Sequence, residues 1–192
     1  IHKDPAYHVN YYEAARVYLN SNKPIWGILY GEMFVNIERQ TPRAEEIKGM
    51  LFNAYKKLFT SVETGDIPKF GSTRKDKKAN NFEQAVYATY MNLAPVVSDG
   101  ITAENLTMLR TRFAIAWSVT YAAQYPFSLF AYQDQMLRNG YFDIYNEWLF
   151  GKVDNAMEYG AWNSFHKGAI EQYETWAQQH SLHPANSDFC ND

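Results

Sequence analysis

Apolar side chains recur every three or four residues along almost the whole chain, and strict alternation of apolar and polar residues is hard to find. Spacing of this kind is typical of amphipathic α-helices, whereas half-buried strands alternate with a period of two. Hydrophobic residues make up 46% of the chain and charged residues 20%, which is ordinary for a folded domain and argues against disorder. The sequence therefore predicts an all-α protein.

Proline, glycine and capping residues divide this helical pattern into segments. Thr41-Pro42 and Thr102 are typical of helix N-termini, and Asn139-Gly140 favours a C-terminal stop. These signals predict seven or eight antiparallel helices joined by short turns, as in helical bundles and α-solenoids. The predicted helices include residues 5–19, 24–39, 42–62 and 142–150, one that ends near 138, and a last one over 154–180.

The segment between the third and fourth predicted helices is the best candidate for a boundary. Residues 63–79 lack periodicity and contain Gly65, Pro68, Gly71 and a basic run. We therefore predict four parts, with a single overall domain as the alternative. They are a helical hairpin plus third helix over 1–62, a basic loop over 63–79, a C-terminal helical bundle over 80–182 and a flexible tail over 183–192.

A seam of small residues runs along the first two predicted helices. Two helices can approach closely only where the facing side chains are small, and aromatic rings can then fill the space at the edges. The small residues of this seam are Ala14, Ala15, Gly27 and Gly31, and its rings are Tyr11, Tyr18 and Phe34.

The spacing of these residues resembles that of a tetratricopeptide repeat over about residues 5–39. The family carries an aromatic residue, then a large-small pair, then a tyrosine, and later a small residue in the second helix. Those places are taken here by Tyr11, Ala14-Ala15, Tyr18 and Gly27. Gly31 and Phe34 depart from the pattern, because the family has a ring at the first of these positions and alanine at the second.

The resemblance implies a helical hairpin in a bacterial-type repeat protein that binds a protein or peptide partner. Repeats of this family bind through the surfaces of stacked helices. We predict a groove on the first helices, since aromatic side chains that flank the seam could line it. The predicted binding residues are Tyr7, Asn10, Tyr11, Tyr18 and Trp26.

Other classes of function are less well supported. The net charge is −3 and the basic run Arg74–Lys78 contains no aromatic residue, so we do not expect nucleic-acid binding. No apolar stretch approaches the length that spans a bilayer, and no histidine stands at metal-binding spacing with glutamate. We therefore predict no membrane span, no metal and no cofactor.

An enzyme remains the second hypothesis and an oligomeric structural protein the third. The chain has no nucleophile elbow, phosphate-binding loop or dinucleotide motif, so we predict no catalytic residues. Asp143 and Glu147 nevertheless stand four residues apart on one helix, and aromatic side chains suit sugar stacking. The alternative function is thus a helical enzyme that acts on a carbohydrate or small molecule in an aromatic cleft.

The compartment is not determined by the sequence. The single cysteine, Cys190, permits no disulfide within the chain, and a cytoplasmic location is favoured. Because the chain begins with Ile1 rather than methionine, we expect a processed or truncated product from which a signal peptide or upstream repeats have been removed.

Overall fold

The computed structural model describes residues 1, 4–21, 23–63 and 81–189, and only the backbone of residues 61–63 and 81. Within these ranges the chain forms nine α-helices and one 3₁₀ helix, without a strand, so the predicted all-α class is confirmed. Of the predicted basic loop, 63–79, only residue 63 lies within the described residues. Cys190 lies outside them. The helices are α1 (His8–Leu19), α2 (Pro24–Ile37), α3 (Pro42–Glu63), α4 (Asn81–Asn92), a 3₁₀ helix (Ala94–Val97), α5 (Ala103–Thr120), α6 (Ser128–Arg138), α7 (Phe142–Asp154), α8 (Ala156–Phe165) and α9 (Lys167–Gln179).

Local signals set several of the helix ends. The Thr102 hydroxyl accepts a hydrogen bond of 3.1 Å from the backbone N–H of Asn105, as an N-cap does. The Thr41 hydroxyl accepts one of 3.2 Å from Ala44 in the same way at the start of α3. Gly140 follows α6 with φ of 74°, a left-handed conformation that favours glycine over residues with a Cβ atom.

The predicted length of the last helix, residues 154–180, is wrong, because two helices, α8 and α9, form in this range. The chain breaks at His166, whose ring stacks on Trp162 at 4.7 Å and whose Nδ1 lies 2.8 Å from the Trp162 carbonyl oxygen. The start is also later than predicted, since α7 continues through Asp154 and Asn155 caps α8 by accepting bonds from the N–H groups of Met157 and Glu158.

One continuous apolar core crosses the predicted boundary between the hairpin and the bundle. Helices α1 and α2 pair closely and pack on α3, while α7 contacts α3, α5, α6, α8 and α9. The flexible tail over residues 183–192 stays a prediction; within its described part, residues 183–189, Asp188 contacts the rest of the chain. Asp188 is 1% exposed, and its carboxylate accepts hydrogen bonds from the N–H groups of Ser128 and Ala185.

A buried polar network ties α2 to α5, α6 and α7. The guanidinium of Arg110 on α5 donates to the carboxylate of Glu32 on α2 and to the side-chain oxygen of Asn146 on α7. The same carboxylate accepts bonds of 2.7 Å from Gln133 on α6 and from the hydroxyl of Tyr145 on α7. Because all five side chains are at most 3% exposed, the network fixes the spacing of α5 and α7 inside the core.

Candidate functional site

A cleft of about 850 Å³ lies between α5 on one side and α8 and α9 on the other. The N-terminal part of α7, which contacts all three of these helices, and the turn before it form the base of the cleft. Its size falls within the range of ligand-binding clefts in proteins. Apolar side chains line it, including Met108, Ile144, Trp162 and Ala169.

The charged residues of the cleft are mainly acidic. Glu104 lies on α5, and Asp143 and Glu147 lie on α7. Among the lining residues Arg112 is the cation when histidine is counted as neutral. Three carboxylates against one guanidinium give a formal charge of −2. The cleft therefore attracts a positively charged ligand or partner.

Glu147 is the carboxylate of this cleft with a perturbed pKa. Burial raises its pKa, and the negative charge of Asp154 raises it further, while His166 lowers it. The side chain lies along α7 against Gly151 and the ring of Tyr159, which explains its partial burial. A carboxyl group in such surroundings holds its proton at a higher pH than an exposed glutamate does.

Helix α8, which forms part of one wall, has no buried residue. Met157 is 83% exposed and Phe165 is 87% exposed, although both stand at helical spacing with Ala161, Ala169, Tyr173 and Trp176 in an apolar stripe of the predicted last helix, residues 154–180. The second half of that stripe behaves differently, because Tyr173 and Trp176 on α9 are buried. An apolar helix that the described residues leave uncovered is typical of a surface that contacts another molecule.

The opposite wall carries a second exposed apolar stripe. Met108, Ile115 and Val119 on α5 are exposed, and they lie on one helix face with Arg112 because their spacing is four, three and four residues. Met108 and Arg112 line the cleft, and Ile115 and Val119 continue the same face toward the end of α5. We refer to Met108, Arg112, Ile115 and Val119 as the α5 stripe.

The residues that the sequence predicts for a hairpin groove lie elsewhere, and several of them are buried. Tyr11, Tyr18 and Trp26 converge on the ring of Tyr30, with centroid distances of 6.1, 5.6 and 5.4 Å. Tyr11 and Trp26 are at most 2% exposed, so in this conformation both belong to the core and neither can line an open groove. Tyr18 is half-buried.

The two remaining predicted binding residues are accessible at the start of α1. Tyr7 is 50% exposed and precedes the helix, and half-buried Asn10 donates a hydrogen bond of 3.3 Å to the Asp4 carbonyl oxygen. A binding role for these two stays a prediction. The carboxylates Asp143 and Glu147, in contrast, do line a cleft together with an aromatic ring, as the alternative hypothesis requires.

Comparison with known proteins identifies no relative of this chain. No protein-family model, curated protein or solved structure shows significant similarity to the chain. In the described part of the chain, no helix is long and apolar enough to cross a membrane, and no three histidine, cysteine or acidic side chains are grouped as metal ligands.

Proposed function

We propose that this protein is a non-enzymatic interaction module that binds an amphipathic helix of a protein partner between the α5 stripe and α8. The observation that carries the proposal is the exposure of apolar side chains on both of these helices. Val119, Met157 and Phe165 are each at least 83% exposed, and Ile115 is 52% exposed. Exposure of apolar side chains of this size to water is unfavourable, and their burial against a partner contributes favourably to the free energy of binding.

The shape of the surface favours a helix as the occupant. The α5 stripe extends along roughly 17 Å of helix, counted from Met108 to Val119 at the α-helical rise. Its four-three-four spacing is the one that a second helix matches with its own apolar side chains. A helix laid along it would also contact the wall formed by α8.

Charge specifies the partner further. Glu104 and Asp143 stand in the cleft with Glu147, and α8 adds Glu158 in its first turn. The partner helix should therefore carry lysine or arginine beside its apolar face. Such complementarity speeds association and disfavours acidic competitors.

The pairing of α1 with α2 is consistent with the tetratricopeptide-like relationship, which we retain as part of the proposal. Gly27 lies so close to Leu19 that a Cβ atom there would come within 2.5 Å of its backbone nitrogen. This is the position at which the family carries a small residue. In the proposed arrangement the hairpin is a structural support, and the binding surface lies on the C-terminal helices.

A fluorescent peptide of about 18 residues, with leucines on one face and lysines on the other, tests the proposal by anisotropy. We expect the peptide to bind, and Met108→Ala combined with Phe165→Ala to weaken binding about tenfold or more, because tenfold corresponds to about 1.4 kcal/mol and interface anchors commonly contribute that much. Val17→Ala is the matched control, since Val17 is 64% exposed but lies on α1. A peptide of the same composition in scrambled order should bind weakly.

Two results would contradict the proposal. The first is equal affinity for the ordered and scrambled peptides, which would show that binding depends on charge alone and not on an apolar helix face. The second is self-association that removal of Phe165 abolishes, because a second copy of the chain would then occupy the surface. Sedimentation velocity at several protein concentrations detects that state.

A helical enzyme that acts on a carbohydrate in the same cleft is the second candidate. The raised pKa of Glu147, in a cleft that Asp143 and Trp162 also line, favours it, since a protonated carboxyl group can act as a general acid. If this candidate is right, the protein hydrolyses aryl glycosides, and Glu147→Gln lowers the rate at least about a hundredfold while peptide binding is unchanged. Hydrolysis that is the same in the Glu147→Gln variant would exclude it.

A further inference from the structure

A second cavity, of about 400 Å³, lies between the C-terminal end of α5, the start of α6 and the chain segment 185–188. It shares no lining residue with the α5–α8 cleft. Small side chains leave this space open between the two helices, since Ala114 and Ser118 line it from α5, and Ser128 and Ala131 line it from α6. Four aromatic rings also line the cavity, which is therefore mainly apolar; they are those of Trp117, Tyr125, Phe127 and Phe130.

The charged groups at this cavity already have partners within the chain. The Arg138 guanidinium donates to Asp134 at 2.7 Å, and the Asp188 carboxylate accepts hydrogen bonds from the backbone N–H groups of Ser128 and Ala185. A further charge in this apolar space would lose its hydration without gaining a counter-ion. The second cavity therefore favours an uncharged group, whereas the acidic α5–α8 cleft attracts a cation.

The α5 stripe connects the cleft with the second cavity. Ile115 stands four residues after Thr111, which lines the α5–α8 cleft, and three residues before Ser118, which lines the second cavity. Residues at these spacings are neighbours on a helix surface, so the exposed side chain of Ile115 adjoins both sites. From Met108, which lines the cleft, to Ser118 the distance along α5 is roughly 15 Å at the α-helical rise. One partner helix on the α5 stripe therefore reaches both sites.

We infer that the partner helix carries an uncharged aromatic side chain that inserts into the second cavity, about seven to eleven positions from a lysine or arginine that enters the α5–α8 cleft. This inference rests on the proposed function and adds a sequence requirement for the partner. Positions seven, eight or eleven residues apart share one face of a helix and cover roughly 10 to 17 Å, which matches the separation along α5. Aromatic side chains that fill a desolvated pocket are among the strongest contributors to protein–protein affinity.

Peptides that differ at one position test the inference by anisotropy. In the reference version of the fluorescent peptide, alanine stands at the two apolar positions about eight residues before and after a central lysine. Two further versions each carry phenylalanine at one of these positions, so that either direction of the partner helix is covered. We expect one of them to bind at least about tenfold more tightly than the reference, as a buried anchor does. A version with phenylalanine on the polar face should bind as the reference does.

Cavity-filling variants of the protein locate the anchor. Ala131→Phe and, as a second variant, Ala122→Phe add a ring to the lining of the second cavity, and the far-ultraviolet circular dichroism spectrum should stay helical because both alanines are at least partly exposed. Each variant should remove the gain from phenylalanine and leave the affinity for the reference peptide unchanged. Ala169→Phe is the matched control, since Ala169 lines the α5–α8 cleft, and it should preserve the gain.

The outcomes separate this inference from the proposed function. Equal affinity for the reference peptide and both phenylalanine versions overturns the inference while the proposed function stands. A gain that persists in both cavity-filling variants overturns it as well, because the anchor then lies elsewhere. Binding of none of these peptides contradicts the proposed function itself, and the inference falls with it.

Discussion

Replacement of Arg110 by methionine is expected to lower the free energy of unfolding by about 3–5 kcal/mol, the usual cost of leaving one member of a buried ion pair alone. Arg110 is 1% exposed, and its guanidinium contacts both Glu32 and Asn146. Burial alone would lower the pKa of Arg110, but the charge of Glu32 and the nearby tyrosines outweigh burial and raise it, so the guanidinium is held charged. The variant leaves the Glu32 carboxylate buried without its counter-ion.

Urea denaturation followed by circular dichroism measures this effect, and the same helix supplies a control. Arg112→Met removes an exposed guanidinium two residues further along and should change stability by less than about 0.5 kcal/mol. The double variant Glu32→Leu with Arg110→Met should be more stable than Arg110→Met alone, because no charge is then left unpaired. A double variant that is less stable than the single one would contradict this account.

The second large effect is expected at Gly27, where an alanine should lower the free energy of unfolding by about 2–3 kcal/mol. A Cβ atom at this position would lie 2.5 Å from the backbone nitrogen of Leu19 and 2.8 Å from its Cα. Because these are backbone atoms, no rotation of a side chain relieves the overlap, and α1 has to move away from α2. Thermal unfolding of Gly27→Ala against the unmodified protein provides the measurement.

Gly49→Ala separates the effect of contact from that of helix propensity. Gly49 lies within α3, and no atom stands within 4 Å of the Cβ that alanine would add. Alanine favours a helix over glycine by about 0.5–1 kcal/mol, so this variant should be more stable than the unmodified protein. Equal destabilisation by both substitutions would refute the close approach of α1 and α2.

Helix ends were predictable because their signals are local. A capping hydroxyl at Thr102, a proline at position 42 and a glycine at position 140 act on the residues next to them, so the sequence alone places the whole of α3, the start of α5 and the end of α6 closely. The break at His166 was not predicted from such a signal. The ring of His166 stacks on Trp162 at this break, and apolar periodicity does not report such a contact.

Burial in the centre of the protein depended on contacts that no pattern within one helix reports. Arg110 stands four residues after Leu106 and three before Phe113, so helical spacing places it on the apolar face of α5, and it is buried there. That spacing does not report what neutralises a charge in the core, and burial of an unpaired guanidinium would be unfavourable. The partner that makes burial of Arg110 tolerable, Glu32, stands 78 positions earlier in the chain.

The candidate sites were predictable only in part. Asp143 and Glu147 share a helix, so their common position in the α5–α8 cleft follows from spacing. The exposure of Met157 and Phe165 runs against their apolar spacing, which would favour burial. Apolar spacing also left open whether the rings of the hairpin are buried. An amphipathic pattern does not distinguish a ring that packs on Tyr30 from one that faces a partner.

The polar network in the core also constrains how the sequence of this protein can diverge. Glu32, Arg110, Gln133 and Asn146 lie on four different helices, and each forms a hydrogen bond that another member of the set completes. A substitution at one of these positions alone leaves a buried group unsatisfied, so selection should remove it unless a second change follows. These positions are therefore expected to vary together among homologues, with an apolar residue at position 32 accompanied by an apolar residue at position 110.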